Sequence, residues 1–188
     1  MNYLNLEEFE KKIAYTFQDK SLLKLALTHS SYANENKRGS HENNERLEFL
    51  GDAVLDMVVG EYLYRTFPQM PEGELTKLRA AVVCEGTLAE LSRKLGMGRC
   101  LLLGKGEEST GGRDRESILA DAFEAVIGAV CIDGGILAAS DYVMRFLKTP
   151  IEEMKGNFRT LDCKTCLQEI SQRNSKVPLQ YRIIGEEG

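Results

Sequence analysis

Hydrophobic residues recur at helical spacing through residues 13–17, 22–27, 47–63, 75–83, 87–95 and 118–146, and strand-like alternation is almost absent before residue 175. The pattern predicts an all-α core. Turn chemistry marks the joints at Pro68, Pro71 and Gly73, from Gly104 to Gly112, and at Gly134-Gly135. Pro150, Gly156 and mixed charges make 149–160 the best candidate for a linker. Beyond it, L-D-C-K-T-C-L-Q-E-I-S-Q-R reads as a short amphipathic helix and V-P-L-Q-Y-R-I-I as one strand. The expected organisation is a helical domain over 1–148, a linker, and in 161–188 the opening of a second, α+β domain too short to build its own core.

Within this pattern, Ile118 to Ile132 is apolar nearly all round, and its polar side chains are two acids, Asp121 and Glu124. Such a helix is a buried helix, so these carboxylates are enclosed or line a cleft. Three residues apart, they share a face, where two desolvated anions repel. No Lys or Arg lies within the run, so the counter-charge comes from another element or from a bound cation; hard oxygen ligands favour Mg²⁺ or Mn²⁺.

A second segment, from Asn43 to Leu63, carries Glu45, Glu48, Asp52 and Asp56 at steps of three, four and four, which holds them in one narrow stripe. Asn43 or Asn44 is positioned as its N-cap. Gly51 inside the helix is unfavourable by about 1 kcal/mol relative to Ala, which suggests that another backbone packs close by. If the two acidic faces meet, four carboxylates converge on a metal-centred phosphate-chemistry site. In the alternative, the first stripe is solvated and the second pair is satisfied by hydrogen bonds.

The net charge of −5 excludes a generally basic nucleic-acid coat, so any RNA contact must use local patches. No uninterrupted apolar run reaches the length of a membrane span, and the polar N-terminus has no signal-peptide core; a cytoplasmic protein is expected. Cysteines at 84, 100, 131, 163 and 166, odd in number and scattered, fit reduced thiols, and Cys163-x-x-Cys166 lacks the further ligands of a zinc site. The segment G-K-G-E-E-S-T-G-G-R-D-R does not match a P-loop and reads as a connector, although Lys105, Arg113 and Arg115 could touch a polyanion. His29 and His41 suit packed or hydrogen-bonded roles, and no G-x-S-x-G elbow accompanies Ser30 and Ser31.

At E-R-L-E-F-L-G-D-A-V-L (Glu45 to Leu55) the chain closely resembles the signature of bacterial ribonuclease III. The resemblance continues through L-T-H-S-S-Y (Leu27 to Tyr32), P-E-G-E-L-T-K-L-R-A (Pro71 to Ala80), L-G-K-G-E-E (Leu103 to Glu108) and S-I-L-A-D-A-F-E-A (Ser117 to Ala125). It covers roughly residues 5 to 150, the family's nuclease domain. D-C-K-T-C-L-Q-E (Asp162 to Glu169) is similar to the start of the family's double-stranded-RNA-binding domain, with Cys163 where Tyr is common.

The resemblance implies an all-α endonuclease domain that forms a homodimer and cuts both strands of double-stranded RNA with Mg²⁺, leaving 5′-phosphate and 3′-hydroxyl ends, in the processing of rRNA precursors and other structured transcripts. By matching motif, Glu48, Asp121 and Glu124 would be metal ligands, Asp52 and Glu124 the catalytic pair, Glu45 and Glu72 supporting acids, and Phe49 a dimer-interface residue whose alternative is a core aromatic. Asp56 has no role by this match. The competing expectation is an RNA-binding protein of the same fold that does not cleave.

Overall fold

The computed structural model describes residues 5–37, 39 and 41–161, with side chains placed as far as Lys155. In order, the elements are α1 (Leu6–Ile13), α2 (Lys20–Ala26), α3 (Ser30–Glu35), α4 (Glu45–Thr66), α5 (Glu72–Val82), α6 (Glu85–Leu95), α7 (Lys105–Ser109) and α8 (Glu116–Leu161), with 3₁₀ turns at Met97–Arg99 and Gly112–Asp114. Among the described residues, extended pairing is confined to one parallel bridge, Thr28 with Leu102. The all-α expectation holds. The helix and strand expected beyond residue 161, with Cys163 and Cys166, lie outside the described residues.

The apolar run predicted to be enclosed is the hub of the fold: Ala122, Phe123, Ala125, Val126, Ile127, Ala129 and Val130 are buried, and α8 packs most extensively against α4 and then α6. By length and composition α8 is apolar enough to resemble a membrane-crossing helix, but much of that apolar surface faces the protein's own core. At Gly135 the backbone takes φ +81°, a conformation L side chains rarely adopt, and breaks α8 into two limbs. A straight helix would hold residues 123 and 142 about 28 Å apart. Instead the break folds the limbs together, with the Phe123 and Tyr142 rings 5.8 Å apart between centroids and Phe146 edge-on to both.

Two segments differ from the sequence reading. The helical periodicity at 13–17 stops at Ile13, where Ala14 adopts φ +49° and ends α1; Phe17 is buried from the following turn, its N–H donating to the Glu10 carboxylate at 2.8 Å. The expected linker at 149–160 is helical throughout. Pro150 removes one intrahelical hydrogen bond, but Leu147 and Ile151 flank it fully buried, Met154 packs on the same core, and the Lys155 ammonium lies 4.2 Å from the Phe67 ring centroid. That packing carries the helix through a residue which would end an exposed one.

Candidate metal centre

The site begins at the N-terminus of α4. Asn44 is its N-cap residue, while the cap hydrogen bond comes from Asn43, whose Oδ1 accepts the Glu45 N–H at 3.2 Å. The Asn44 N–H donates to the Thr28 carbonyl at 2.9 Å and fixes the start of α4 to the Thr28–Leu102 bridge. From there Leu47, Gly51, Val54, Leu55 and Val58 form the buried side of α4, which turns Glu48 and Asp52 toward the edge of the seam with α8.

The two backbones touch there. A Cβ built on Gly51 would lie 1.8 Å from the Glu124 carbonyl oxygen, and one built on Gly128 would lie 2.1 Å from that of Leu47. Leu47 opposes Gly128 and Gly51 opposes Glu124, so the helices cross antiparallel. The close approach inferred from Gly51 is therefore real; its counterpart Gly128 was not singled out in the sequence, although it too stands inside a helix.

This crossing brings carboxylate oxygens of Glu48, Asp121 and Glu124, all half-buried, within 4.8 Å of one another. Burial, and then the charges of Asp52, Asp121, Glu48 and Asp56, push the Glu124 carboxyl up to about 8. Glu48 is raised by burial and by Asp121, Glu45 and Asp52. Asp121 is raised by burial and by Glu85, with the His29 imidazole acting in the opposite sense. Among the described residues, no ion pair reaches any of these three acids. Three convergent hard oxygens without an ion-pair partner fit a small divalent cation.

The remaining predicted residues separate into those near the cluster and those apart. Asp52 is exposed and its charge acts on both Glu48 and Glu124; Glu45, also exposed, acts on Glu48 from the rim. Asp56 acts on Glu124 and is itself 3.8 Å from Arg79. Glu72 is not brought into this set: it opens α5 and accepts the Thr76 hydroxyl at 2.9 Å. Phe49 is 80% exposed, so the core-aromatic alternative does not hold.

Two groups facing Asp121, Glu85 and His29, were not foreseen as neighbours of the site. His29 does make the expected local hydrogen bonds, its Nδ1 accepting the Ser31 N–H at 3.2 Å as the N-cap of α3. The Gly-rich connector is more internally bonded than its composition implies. Arg113 donates to the carbonyls of Gly98 and Leu101, and Arg115 pairs with Glu107, whereas Lys105 is exposed.

The ribonuclease-III-like family profile matches residues 19–151. Relatives named Ribonuclease 3 include that of Pelotomaculum thermopropionicum, 50% identical over 95% of this chain and 74% of its own length, and that of Symbiobacterium thermophilum, 53% identical over 94% and 74%. The solved nuclease domain of ribonuclease III from Campylobacter jejuni is 46% identical, covers 77% of this chain and 97% of its own, and superposes with a TM-score of 0.72. Dicer from Pichia stipitis shares the fold at a TM-score of 0.56 and 29% identity over 76% of this chain and 60% of its own. With the helical architecture and the acidic crossing already in place, these similarities show that the chain belongs to the ribonuclease III family.

Proposed function

We propose that this endoribonuclease hydrolyses double-stranded RNA as a homodimer that uses Mg²⁺, with Mn²⁺ as a working substitute. The observation that carries the reading is the convergence of Glu48, Asp121 and Glu124 within 4.8 Å on two helices in backbone contact. These three residues would hold the metal. Once bound, the cation supplies the positive charge and water activation that phosphodiester hydrolysis needs.

The chain's own groups do the rest. Asp52, exposed and close enough for its charge to act on Glu124, would orient the attacking water and accept its proton, with Glu124 completing that pair from α8. Glu45 lines the rim and Glu72 lies further out, both suited to supporting roles along the RNA rather than at the reacting phosphate. Recognition rests on A-form shape, phosphates and 2′-hydroxyls, and the products carry 5′-phosphate and 3′-hydroxyl ends. The dimer forms through the exposed α4 face that holds Phe49. Residues 161–188 open the RNA-binding domain, and the natural substrates are cytoplasmic rRNA precursors and other structured transcripts.

A long end-labelled RNA duplex incubated with Mg²⁺, and separately with excess chelator, tests this. Metal-dependent cutting of duplex but not single strand, abolished in Glu124→Gln and Asp52→Asn proteins that keep their helical content, is the expected result. Duplex binding without cutting in Mg²⁺ and in Mn²⁺ would instead favour a non-cleaving RNA-binding protein.

A further inference from the structure

Gly51 and Gly128 face each other across the α4–α8 seam, each beside the backbone that presents the other helix's acids. By helix propensity alone, alanine would be favoured over glycine at both positions. Gly60, in the same α4, shows what an unconstrained helical glycine looks like here: a Cβ on it would meet nothing nearer than an Arg79 nitrogen at 3.9 Å. At Gly51 and Gly128 the obstacles are carbonyl oxygens of the opposite helix, at 1.8 and 2.1 Å. A carbon needs about 3.3 Å from such an oxygen, so one added methyl must part the helices by about 1 Å or more. Backbone cannot rotate aside as the end of a side chain can.

The donors of the metal centre are divided across that seam, Glu48 on α4 and Asp121 and Glu124 on α8. Ligands on opposite sides of one Mg²⁺ are about 4.1 Å apart, and the ion tolerates little departure from octahedral geometry. The carboxylate oxygens of the three acids lie within 4.8 Å of one another, and parting the helices by a further ångström draws Glu48 away from Asp121 and Glu124, out of the reach that one such ion requires. Gly128 stands one turn from Glu124 and opposite Leu47, the residue before Glu48, so a shift there is transmitted to both sides of the site.

We infer that Gly128, with Gly51, is a positioning residue for the reaction: the glycine pair sets the distance between α4 and α8 and thereby the distance between the metal's donors. The inference rests on the proposed metal-dependent cleavage. It differs from a general packing role in predicting a defect in metal handling rather than in folding or RNA binding.

The test compares the whole chain with Gly128→Ala, Gly51→Ala and the control Gly60→Ala. For Gly128→Ala we expect unchanged helical content and an unchanged KM for duplex RNA. Its kcat should fall about 100-fold, its half-saturating Mg²⁺ rise at least tenfold, and direct Mn²⁺ titration should show affinity weakened to a similar degree. Gly60→Ala should match the parent in all of these. A folded Gly128→Ala protein with the parent's metal affinity overturns the inference, as does a raised KM with an unaltered metal response. If both seam variants lose their helical signal, the pair serves folding rather than placement and the inference is equally overturned. Failure of the unsubstituted chain to cut under any metal would count against the proposed function alone, since Mn²⁺ titration of the variants still reads the positioning effect.

Discussion

The Asp133 carboxylate, at the end of the first limb of α8, accepts the Tyr15 hydroxyl at 2.8 Å from the turn after α1. The same carboxylate accepts the N–H groups of Gln18 and Asp19 at 3.0 and 2.9 Å, so one side chain ties three points of the α1–α2 connection to the hub helix. Removing it takes the acceptor from two exposed backbone donors and from a part-buried phenol. Asp133→Ala should cost about 1–2 kcal/mol and Tyr15→Phe about 1 kcal/mol. Burial opposes charge on Asp133, but the Asp19 and Gln18 N–H groups, Tyr15 and Lys20 outweigh it and hold the carboxyl below its ordinary value of 3.8. A depressed folded pKa gives stability that is present above the unfolded value and lost as pH falls through the folded one. Denaturant titrations of parent and Asp133→Ala should therefore draw together as pH falls below 3.8; a gap that stays constant through that fall would contradict this account.

Glu124 has the opposite sign. Its folded carboxyl is raised to about 8 from an ordinary 4.5, chiefly by burial and then by the neighbouring acids. Between those values the folded state holds a proton that the unfolded state has released, so the metal-free protein loses stability as pH rises through that window. A divalent cation at the cluster should reverse the trend by binding the folded form. Thermal melts in chelator should show a falling Tm from pH 5 to pH 8, and Mg²⁺ or Mn²⁺ should raise Tm more at pH 8 than at pH 5.5. Glu124→Gln removes the titrating group, and its metal-free Tm at pH 8 should exceed the parent's while cleavage is lost. A flat pH profile in the parent would remove the electrostatic reading of the cluster.

Phe49, Met57 and Tyr64 fall on one side of α4 and are 80%, 51% and 75% exposed. Exposed apolar side chains concentrated on one helix face beside the acidic stripe suit burial against a second copy. Because Phe49 contributes little to the protomer's core, Phe49→Glu should leave monomer stability within about 0.5 kcal/mol while placing a charge in the interface. Light scattering at micromolar concentration should find the parent at twice the monomer mass and Phe49→Glu at the monomer mass, with unchanged helical content. Equal masses for the two proteins would place the dimer contact elsewhere or abolish it.

The acidic stripe of α4 and the Asp121–Glu124 pair were legible in the sequence because each depends on one helix's periodicity, and local spacing fixes which side chains share a face. Gly51 announced the crossing for a related reason: a poor helix former inside a strong helix needs a tertiary explanation. Which backbone would meet it was not legible, since the register of α4 on α8 is settled by packing among segments about 75 residues apart. His29 and Glu85 reach Asp121 from separate elements, and no local pattern joins them. Pro150 misled for the converse reason, because its local signal is strong and the burial of Leu147 and Ile151 that overrides it is visible only in three dimensions.

Arg113 illustrates the same distinction for charge. In the sequence it stands with Lys105 and Arg115 as a basic residue of a glycine-rich connector, available to a polyanion. In the fold its Nη1 donates to the carbonyls of Gly98 and Leu101 at 2.9 and 2.7 Å, and its Nε donates to Glu108 at 2.9 Å. These charge-assisted bonds close the connector over the turn after α6, and truncation leaves the carbonyls and a carboxylate without their donor. Arg113→Ala should lower stability by about 2–3 kcal/mol with little change in the salt dependence of duplex binding, because the guanidinium is engaged inside the protein. Lys105→Ala, at an exposed position, should leave Tm unchanged, and any effect should fall on RNA affinity and reduce the salt slope by about one. Melting curves and duplex titrations over a range of salt separate the two roles. If Arg113→Ala kept the parent's Tm and lost duplex affinity, the arginine would belong to the RNA surface rather than to the scaffold.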